Sequence, residues 1–421
     1  MNKQSRYNRW LILAASIFII FITGGGYAWS VYIEPLSKNF GWSSADLNLT
    51  FTINMGCSPI AFLIGSRLQK LKGEKFSILA GGLVTGLGFF LSGFISSLPM
   101  LYITYGMIAG LGFSTALSAI LSNIGKIFSD RRGLALGMVF TANAVGSMII
   151  APVASSLITK FGVLSTFKIL GSTILLIVCL CSLFIKNASD ILNANQQVQL
   201  KCSDINNSDE DKSWKQMISD YKYYLIVLIY ATGLFSGIML ISNASPIGQG
   251  MYHLSSSTAA AFVSIIALGN GFGRIIGGWM NDKFRSVNIL TVIYAATGIV
   301  LLALVSTKTT IVFAVSIIVI GFSYGACVST IPAMIIKFYG ARNFSANYGV
   351  TVIVYSIITL IAPQIAVRIK EANHGDYTRA FYICMVAIIV GLVCTAIYRF
   401  IDKKESRIPK KNQMFEEKKV V

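Results

Sequence analysis

The sequence predicts an all-α polytopic membrane protein, with twelve transmembrane helices divided six and six by one long polar connector. Of its 421 residues, 54% are hydrophobic and only 12% charged, about half the charged share of an average soluble domain. Mean hydropathy is +0.68. Apolar runs of about twenty residues, enough to cross a ~30 Å hydrocarbon core, alternate with short charged breaks. The 37 glycines fit the same class, because small residues let membrane helices approach closely where no hydrophobic effect drives them together.

The first run, Trp10 to Tyr32, is longer than the apolar region of a signal peptide and has no small-residue cleavage pattern after it, so it reads as a retained first span, 10–33. The others follow at 45–66, 76–97, 100–124, 133–158, 163–185, 221–245, 257–280, 287–306, 309–336, 344–367 and 378–400. Pro59, Pro152, Pro332 and Pro363 fall within spans, where a lost hydrogen bond bends a helix.

Charge sets the orientation. The chain carries 35 Lys and Arg against 17 Asp and Glu, a net +18. In a soluble protein that balance would suggest nucleic acid. Here the basic residues collect in connectors on one side: Lys3, Arg6 and Arg9; Arg67, Lys70, Lys72 and Lys75; Lys126, Arg131 and Arg132; Lys283 and Arg285; Lys337 and Arg342; and a basic tail. By the positive-inside rule both termini are cytoplasmic, the expected location is the plasma membrane, and no nucleic-acid partner is expected.

Residues 187–220 are rich in Asn, Ser, Asp and Lys and include Asp209-Glu210-Asp211. They read as a flexible cytoplasmic linker. The expected organisation is an N-terminal six-helix unit at 1–186, the linker at 187–220, a C-terminal unit at 221–400 and a cytoplasmic tail at 401–421. The two units repeat one another. Gly65-Ser66-Arg67-Leu68-Gln69-Lys70-Leu71-Lys72-Gly73 follows the second span, and Gly278-Trp279-Met280-Asn281-Asp282-Lys283-Phe284-Arg285-Ser286 follows the eighth. Arg131-Arg132-Gly133 opens the fifth span and Arg342-Asn343-Phe344 the eleventh, and both spans contain Ile-Ala-Pro, at 150–152 and 361–363.

These features resemble the major facilitator superfamily over nearly the whole chain. The resemblance implies two six-helix bundles related by an axis along the membrane normal, with substrate bound between them at the midplane. It also assigns a gating role to the repeated loops, here Gln69 and Lys70, Asp282 and Lys283, with Arg131 and Arg132. Gln69 stands where the acidic residue is usual, while Asp282 keeps it.

One charge has to be explained. Gly269-Asn270-Gly271-Phe272-Gly273-Arg274-Ile275-Ile276-Gly277-Gly278 places Arg274 inside the apolar run Ser257 to Met280. At ~1.5 Å per residue it lies ~12 Å from Asp282, near the midplane. A cation there costs roughly 2.5–3.5 kcal/mol and is expected to face a cavity or the bundle interior. No Asp or Glu lies in the interior of any span, so Arg274 has no buried ion-pair partner in sight. A lone guanidinium is half of an anion site, because it meets a carboxylate in a bidentate pair.

The first span adds Thr23-Gly24-Gly25-Gly26-Tyr27-Ala28-Trp29-Ser30-Val31-Tyr32, continuing to Glu34-Pro35-Leu36. Glycines beside Tyr and Trp permit close approach and offer hydrogen-bond donors. This stretch is similar to the first span of the oxalate:formate antiporter family. Arg274 in its Gly-rich setting, Arg131-Arg132-Gly133 and Asn347-Tyr348-Gly349 fit the same group and the related monocarboxylate transporters. The resemblance implies that Arg274 binds a carboxylate. Tyr27, Trp29, Asn270 and Tyr355 are the further candidate substrate contacts, and Tyr324 is a candidate that could equally tie helices. Proton-coupled monocarboxylate carriers of the group place an Asp where this chain has Asn270, which cannot titrate. Its oxalate exchanger has a lysine in the eleventh span, whereas Ser345 to Val367 contains neither Lys nor Arg, and Tyr355 is the polar residue in that region. One fixed charge suits one carboxylate.

The expected function is therefore secondary transport of a small monocarboxylate of the formate, lactate or pyruvate type, by a chain compatible with a monomer in the lipid bilayer. Efflux of drugs or other amphiphiles and a transporter-like sensor are the alternatives. Asn54, Tyr105, Ser114 and Asn143 are expected mainly to tie helices together. Seven cysteines form no C-x-x-C pair and read as small apolar thiols. His253 and His374 lie in separate connectors, so no metal and no cofactor is expected. No nucleophile–base pair appears, and Gly269-x-Gly271-x-Gly273 follows no strand, which argues against an enzyme and against a dinucleotide site.

Overall fold

The computed structural model describes residues 8–191, 211–373 and 375–407, without the side chains of residues 26, 27, 256, 257, 260, 402 and 404–407. The regular structure of the described residues is entirely helical, with no strand. Among the described residues, ten segments are long and apolar enough to cross a membrane. One of them, Ser44–Ser92, holds two crossings, because the helix turns back at Gly73, where φ is 83°. The first crossing is broken into Arg9–Thr23, a 3₁₀ turn Gly24–Ala28, and Ser30–Phe40, which completes twelve.

Span 2 is Ser44–Gly56 continued by 58–72, and span 3 is 74–92. Span 4 is Leu98–Ile127 and span 5 is Arg132–Phe161. Span 6 is Val163–Ser182 and span 7 is Tyr221–Tyr252. Then come span 8, Ser256–Lys283, span 9, Ser286–Ser306, span 10, Thr310–Tyr339, span 11, Phe344–Ala372, and span 12, Thr378–Arg407. An even number of crossings puts Arg9 and Arg407 at the same end of the molecule.

Several helices outrun their apolar sequences, because a helix in lipid must satisfy its own backbone and is extended until a polar cap can take over. Ser43, Asp220, Ser255 and Thr309 cap spans 2, 7, 8 and 10 by accepting the backbone N–H of Asp46, Lys222, Thr258 and Val312. Span 7 continues through Pro246 to Tyr252, seven residues past its expected end at 245. Pro59 departs from the expected mid-span bend. It occupies the first turn of the helix that restarts at Ser58, where its missing N–H costs nothing.

Large apolar side chains such as Phe18, Leu176, Ile299 and Ile311 point outward, as a lipid-facing surface requires. The polar linker is anchored at both described ends. Asn187 accepts the backbone N–H of Lys75 and Asn123 accepts that of Ala188. At the other end Asp211 accepts the backbone N–H of Arg342, and Asn347 donates to the carbonyl of Lys212. A short helix, Trp214–Ile218, opens with a Ser213–Gln216 capping box. The remainder of the linker, with Asp209 and Glu210, the tail from 408, Cys202 and His374 lie outside the described residues.

Candidate functional site

The two six-helix units meet along spans 5 and 8 and along spans 2 and 11. Gly133 and Gly278 allow the first contact: a Cβ on either would collide with the other's carbonyl oxygen. Helices at this separation place backbone beside backbone across the seam.

Arg274 is 9% exposed and reaches across that seam. Its Nε donates to Oδ1 of Asn270 at 3.0 Å, one helical turn back on span 8. Its Nη1 donates to the carbonyl of Phe140 on span 5. Thr141, the next residue, donates to the carbonyl of Gly271 at 3.2 Å. Both of Arg274's partners are neutral, and no carboxylate pairs with it among the described residues. The positive charge is therefore oriented by the protein and left uncompensated.

Two cavities adjoin it. The larger, about 480 Å³, is lined by Asn143 and Ser147 of span 5, Asn270 and Arg274 of span 8, Tyr324 of span 10, and Tyr355 and Thr359 of span 11, among others. Val263 and Ala267 also line it. They precede Arg274 on a helix that starts at the end away from the termini, so this cavity extends toward that end. The smaller, about 60 Å³, lies on the terminus side and is lined by Ser58, Ser114, Phe140, Asn143, Tyr230, Arg274, Tyr348 and Tyr355. Asn143, Arg274 and Tyr355 border both. The hydroxyls of Tyr324 and Tyr355 are 3.5 Å apart.

Beyond the smaller cavity the terminus end is shut. Asp282 accepts the backbone N–H groups of Gly133 and Leu134 at 2.6 and 2.9 Å. Ser345 donates to Gln69 at 3.0 Å and to the carbonyl of Ser118 at 3.2 Å. Phe62 of span 2 meets Tyr348 of span 11 edge to face at 5.6 Å. Arg132 donates to the carbonyl of Gly125, Arg131 lies 3.8 Å from Asp130, Lys283 sits over the ring of Trp279, and Lys70 is exposed.

Of the residues proposed from sequence, Arg274, Asn270, Tyr324 and Tyr355 share the larger cavity. Trp29 is not among them. It is buried in the N-terminal unit, donates to the carbonyl of Leu47 at 3.1 Å, and packs against Tyr105 at 4.4 Å. The side chain of Tyr27 lies outside the described residues. Asn54 ties span 2 to the carbonyl of Tyr105, while Ser114 pairs with Ser58 at 2.9 Å on the wall of the smaller cavity. Sequence reasoning did not anticipate the carbonyl of Phe140, Tyr230 or Thr359. A main-chain acceptor leaves no side-chain signal. The other two needed helix phase rather than composition.

The sequence pattern of the Major Facilitator Superfamily matches residues 12–363. The chain belongs to this superfamily of transporters. The major facilitator XylE, a proton:xylose symporter, superposes with a TM-score of 0.72 over 93% of this chain and 95% of its own, at 15% identity. FucP in its outward conformation superposes at 0.64 over 92% and 98%, at 16% identity. These likenesses show the twelve-helix, two-bundle fold. Among relatives by sequence, YhjX, an MFS-type transporter of Escherichia coli K12, is 26% identical over 83% of this chain and 85% of its own. Human monocarboxylate transporter 12 is 27% identical over 83% and 72%. The oxalate:formate antiporter of Oxalobacter formigenes is 22% identical over 96% and 94%.

Proposed function

We propose that this chain is a secondary carrier of a small monocarboxylate of the formate, lactate or pyruvate type, working by alternating access between its two bundles. The observation that carries the reading is Arg274: a guanidinium with no carboxylate partner among the described residues, at the seam of the two bundles, on the wall of a cavity that both contribute to. A carboxylate entering that cavity supplies the missing negative charge in the geometry a guanidinium favours. Tyr324 and Tyr355 supply hydroxyl donors beside it. The related monocarboxylate and oxalate:formate carriers support a carboxylate as cargo, and the absence of Lys and Arg from 345–367 supports one carboxylate over two.

With both termini cytoplasmic in a plasma-membrane protein, the larger cavity opens outward and the closed end faces the cytoplasm. Turnover then means separating Asp282 from span 5, Ser345 from Gln69, and Arg274 from Phe140, while the outer halves of the bundles close. Asn270 serves as a fixed acceptor for Arg274 Nε rather than as a proton carrier, which favours exchange of one anion for another over proton symport at this position. Exchange of labelled pyruvate, lactate, formate and oxalate in proteoliposomes tests the reading. Arg274→Ala is expected to lower monocarboxylate exchange by about a hundredfold, as loss of one partner of a desolvated charge pair does. Arg274→Lys, a point charge without the planar fork, keeps a minor fraction. Undiminished exchange by Arg274→Ala sinks the proposal, and exchange accompanied by stoichiometric proton uptake sinks the assignment of Asn270.

A further inference from the structure

We infer that Asn143 is a specificity-determining contact of this site, and that the anion it reads carries an oxygen on the carbon next to its carboxylate: a 2-oxo or 2-hydroxy monocarboxylate. The inference rests on the carrier reading above, with Arg274 holding the carboxylate.

Asn143 lies three residues after Phe140, whose carbonyl receives Arg274. Residues at i and i+3 share a helix face, so the Asn143 amide stands one turn along from the guanidinium's foothold on span 5. It borders both cavities that Arg274 borders. The asparagines that tie segments in this protein use their amides for it: Asn54 donates to the carbonyl of Tyr105 and Asn123 to that of Lys186. Asn143 does neither. Its Oδ1 is enclosed and has no hydrogen-bond partner among the described residues, an arrangement that costs stability unless something compensates. That oxygen lies 2.7 Å from where a Cβ on Gly24 would stand, so glycine at position 24 makes room for the amide. With the oxygen turned toward span 1, Nδ2 is the end left to the cavity, and it too has no partner among the described residues.

A ligand held by its carboxylate on Arg274 presents its next carbon to this amide. A 2-oxo oxygen accepts from Nδ2. A 2-hydroxyl oxygen accepts in the same way, and its proton is available to the amide oxygen if the group turns over. Formate has no atom there, and propionate offers only C–H. Because Arg274 belongs to the C-terminal bundle and Asn143 to the N-terminal one, such a ligand also spans the seam, so that binding draws the bundles together.

The test is inhibition of labelled pyruvate exchange in proteoliposomes by unlabelled pyruvate, lactate and propionate, for the full chain and for Asn143→Leu, which keeps the side-chain size and removes the amide. In the wild type, pyruvate and lactate are expected to compete about tenfold better than propionate, the discrimination one good hydrogen bond supplies. In Asn143→Leu the three acids converge to within about twofold. Equal competition by propionate in the wild type overturns the inference and leaves the carrier reading standing, as does a preference that survives Asn143→Leu. A wild-type protein that exchanges none of the acids overturns both. If Asn143→Leu does not reach the membrane, the wild-type ratio decides alone, with Asn143→Ser as the second variant.

Discussion

The two copies of the loop that joins paired spans do the same job with different chemistry. After span 8, Asp282 crosses the seam and accepts two backbone N–H groups at the start of span 5, from Gly133 and Leu134. Those groups are the free donors of a helix N-terminus, where a negative charge is favoured by the helix dipole as well. After span 2, Gln69 crosses the other way and meets the start of span 11, but it accepts only the hydroxyl of Ser345 and donates weakly to Ser118 at 3.4 Å. One lock is a carboxylate on two separate backbone donors; the other is neutral, with the single Ser345 hydroxyl shared between Gln69 and the carbonyl of Ser118. The comparison teaches that the shut end of this carrier is held unevenly, with most of the polar strength at spans 5 and 8, beside Arg274.

Removing the stronger lock should produce the larger effect. Asp282→Asn preserves shape and deletes the charge, so that one backbone donor faces an amide nitrogen and the other bond loses its ionic assistance. Charge-assisted hydrogen bonds are worth about twice neutral ones, and solvent reaches Asp282, which limits the loss to about 1–2 kcal/mol. The population closed at the terminus end is expected to fall about tenfold. Distances between spin labels at exposed Lys70 and Lys337, one in each bundle, report it directly, and an unchanged distribution would show that Asp282 does not hold the end shut.

The converse change strengthens the weaker copy. Gln69→Glu keeps side-chain length and makes the acceptor for Ser345 anionic, at the expense of the weak donation to Ser118. A shift of about threefold toward the closed population is expected in the same label pair, and Ser345→Ala should erase it. If Gln69→Glu opens the end instead, the two copies are not interchangeable in chemistry, and repulsion or desolvation of the new charge dominates.

Much of this was legible from residues alone. Twelve apolar runs, the polar connector and the repeated loops gave the architecture, because hydrocarbon thickness and backbone satisfaction leave a membrane chain few alternatives. Arg274 stood out because a charge in an apolar run is expensive, and Asn270 could be placed beside it because four residues make one turn. Trp29 was legible only as an aromatic near glycines. Whether it lined a cavity or packed inward depended on the 3₁₀ turn at Gly24–Ala28, which re-aims every side chain after it and has no clear sequence signature. Asn143 looked like any polar residue that ties helices. Its orphaned oxygen is a property of its neighbours, and no reading of one helix could reveal it.

The smallest expected effect concerns how the two seam helices are braced at their starts. Span 11 is steadied by the linker, through Asp211 and the backbone N–H of Arg342. Span 5 is steadied by an ion pair, with Arg9 donating to both oxygens of Asp130 at 2.7 and 3.0 Å. The hydrogen bond from Arg9 holds the Asp130 carboxyl below its ordinary value of 3.8. A carboxyl depressed in the folded state stabilises it fully above the ordinary value and loses that contribution as pH falls through the lowered one. Both partners are exposed, so the pair is worth well under about 1 kcal/mol. Thermal unfolding of the wild type and Arg9→Gln should therefore differ by a small constant amount from neutral pH down to about 5; the difference should shrink below the ordinary carboxyl value and vanish once the pH has fallen through the lowered one. A difference that persists in acid would mean that Arg9 acts through its stacking on Phe128, 5.0 Å away, and that span 5, unlike span 11 with its Asp211 carboxylate, is braced without a titrating charge.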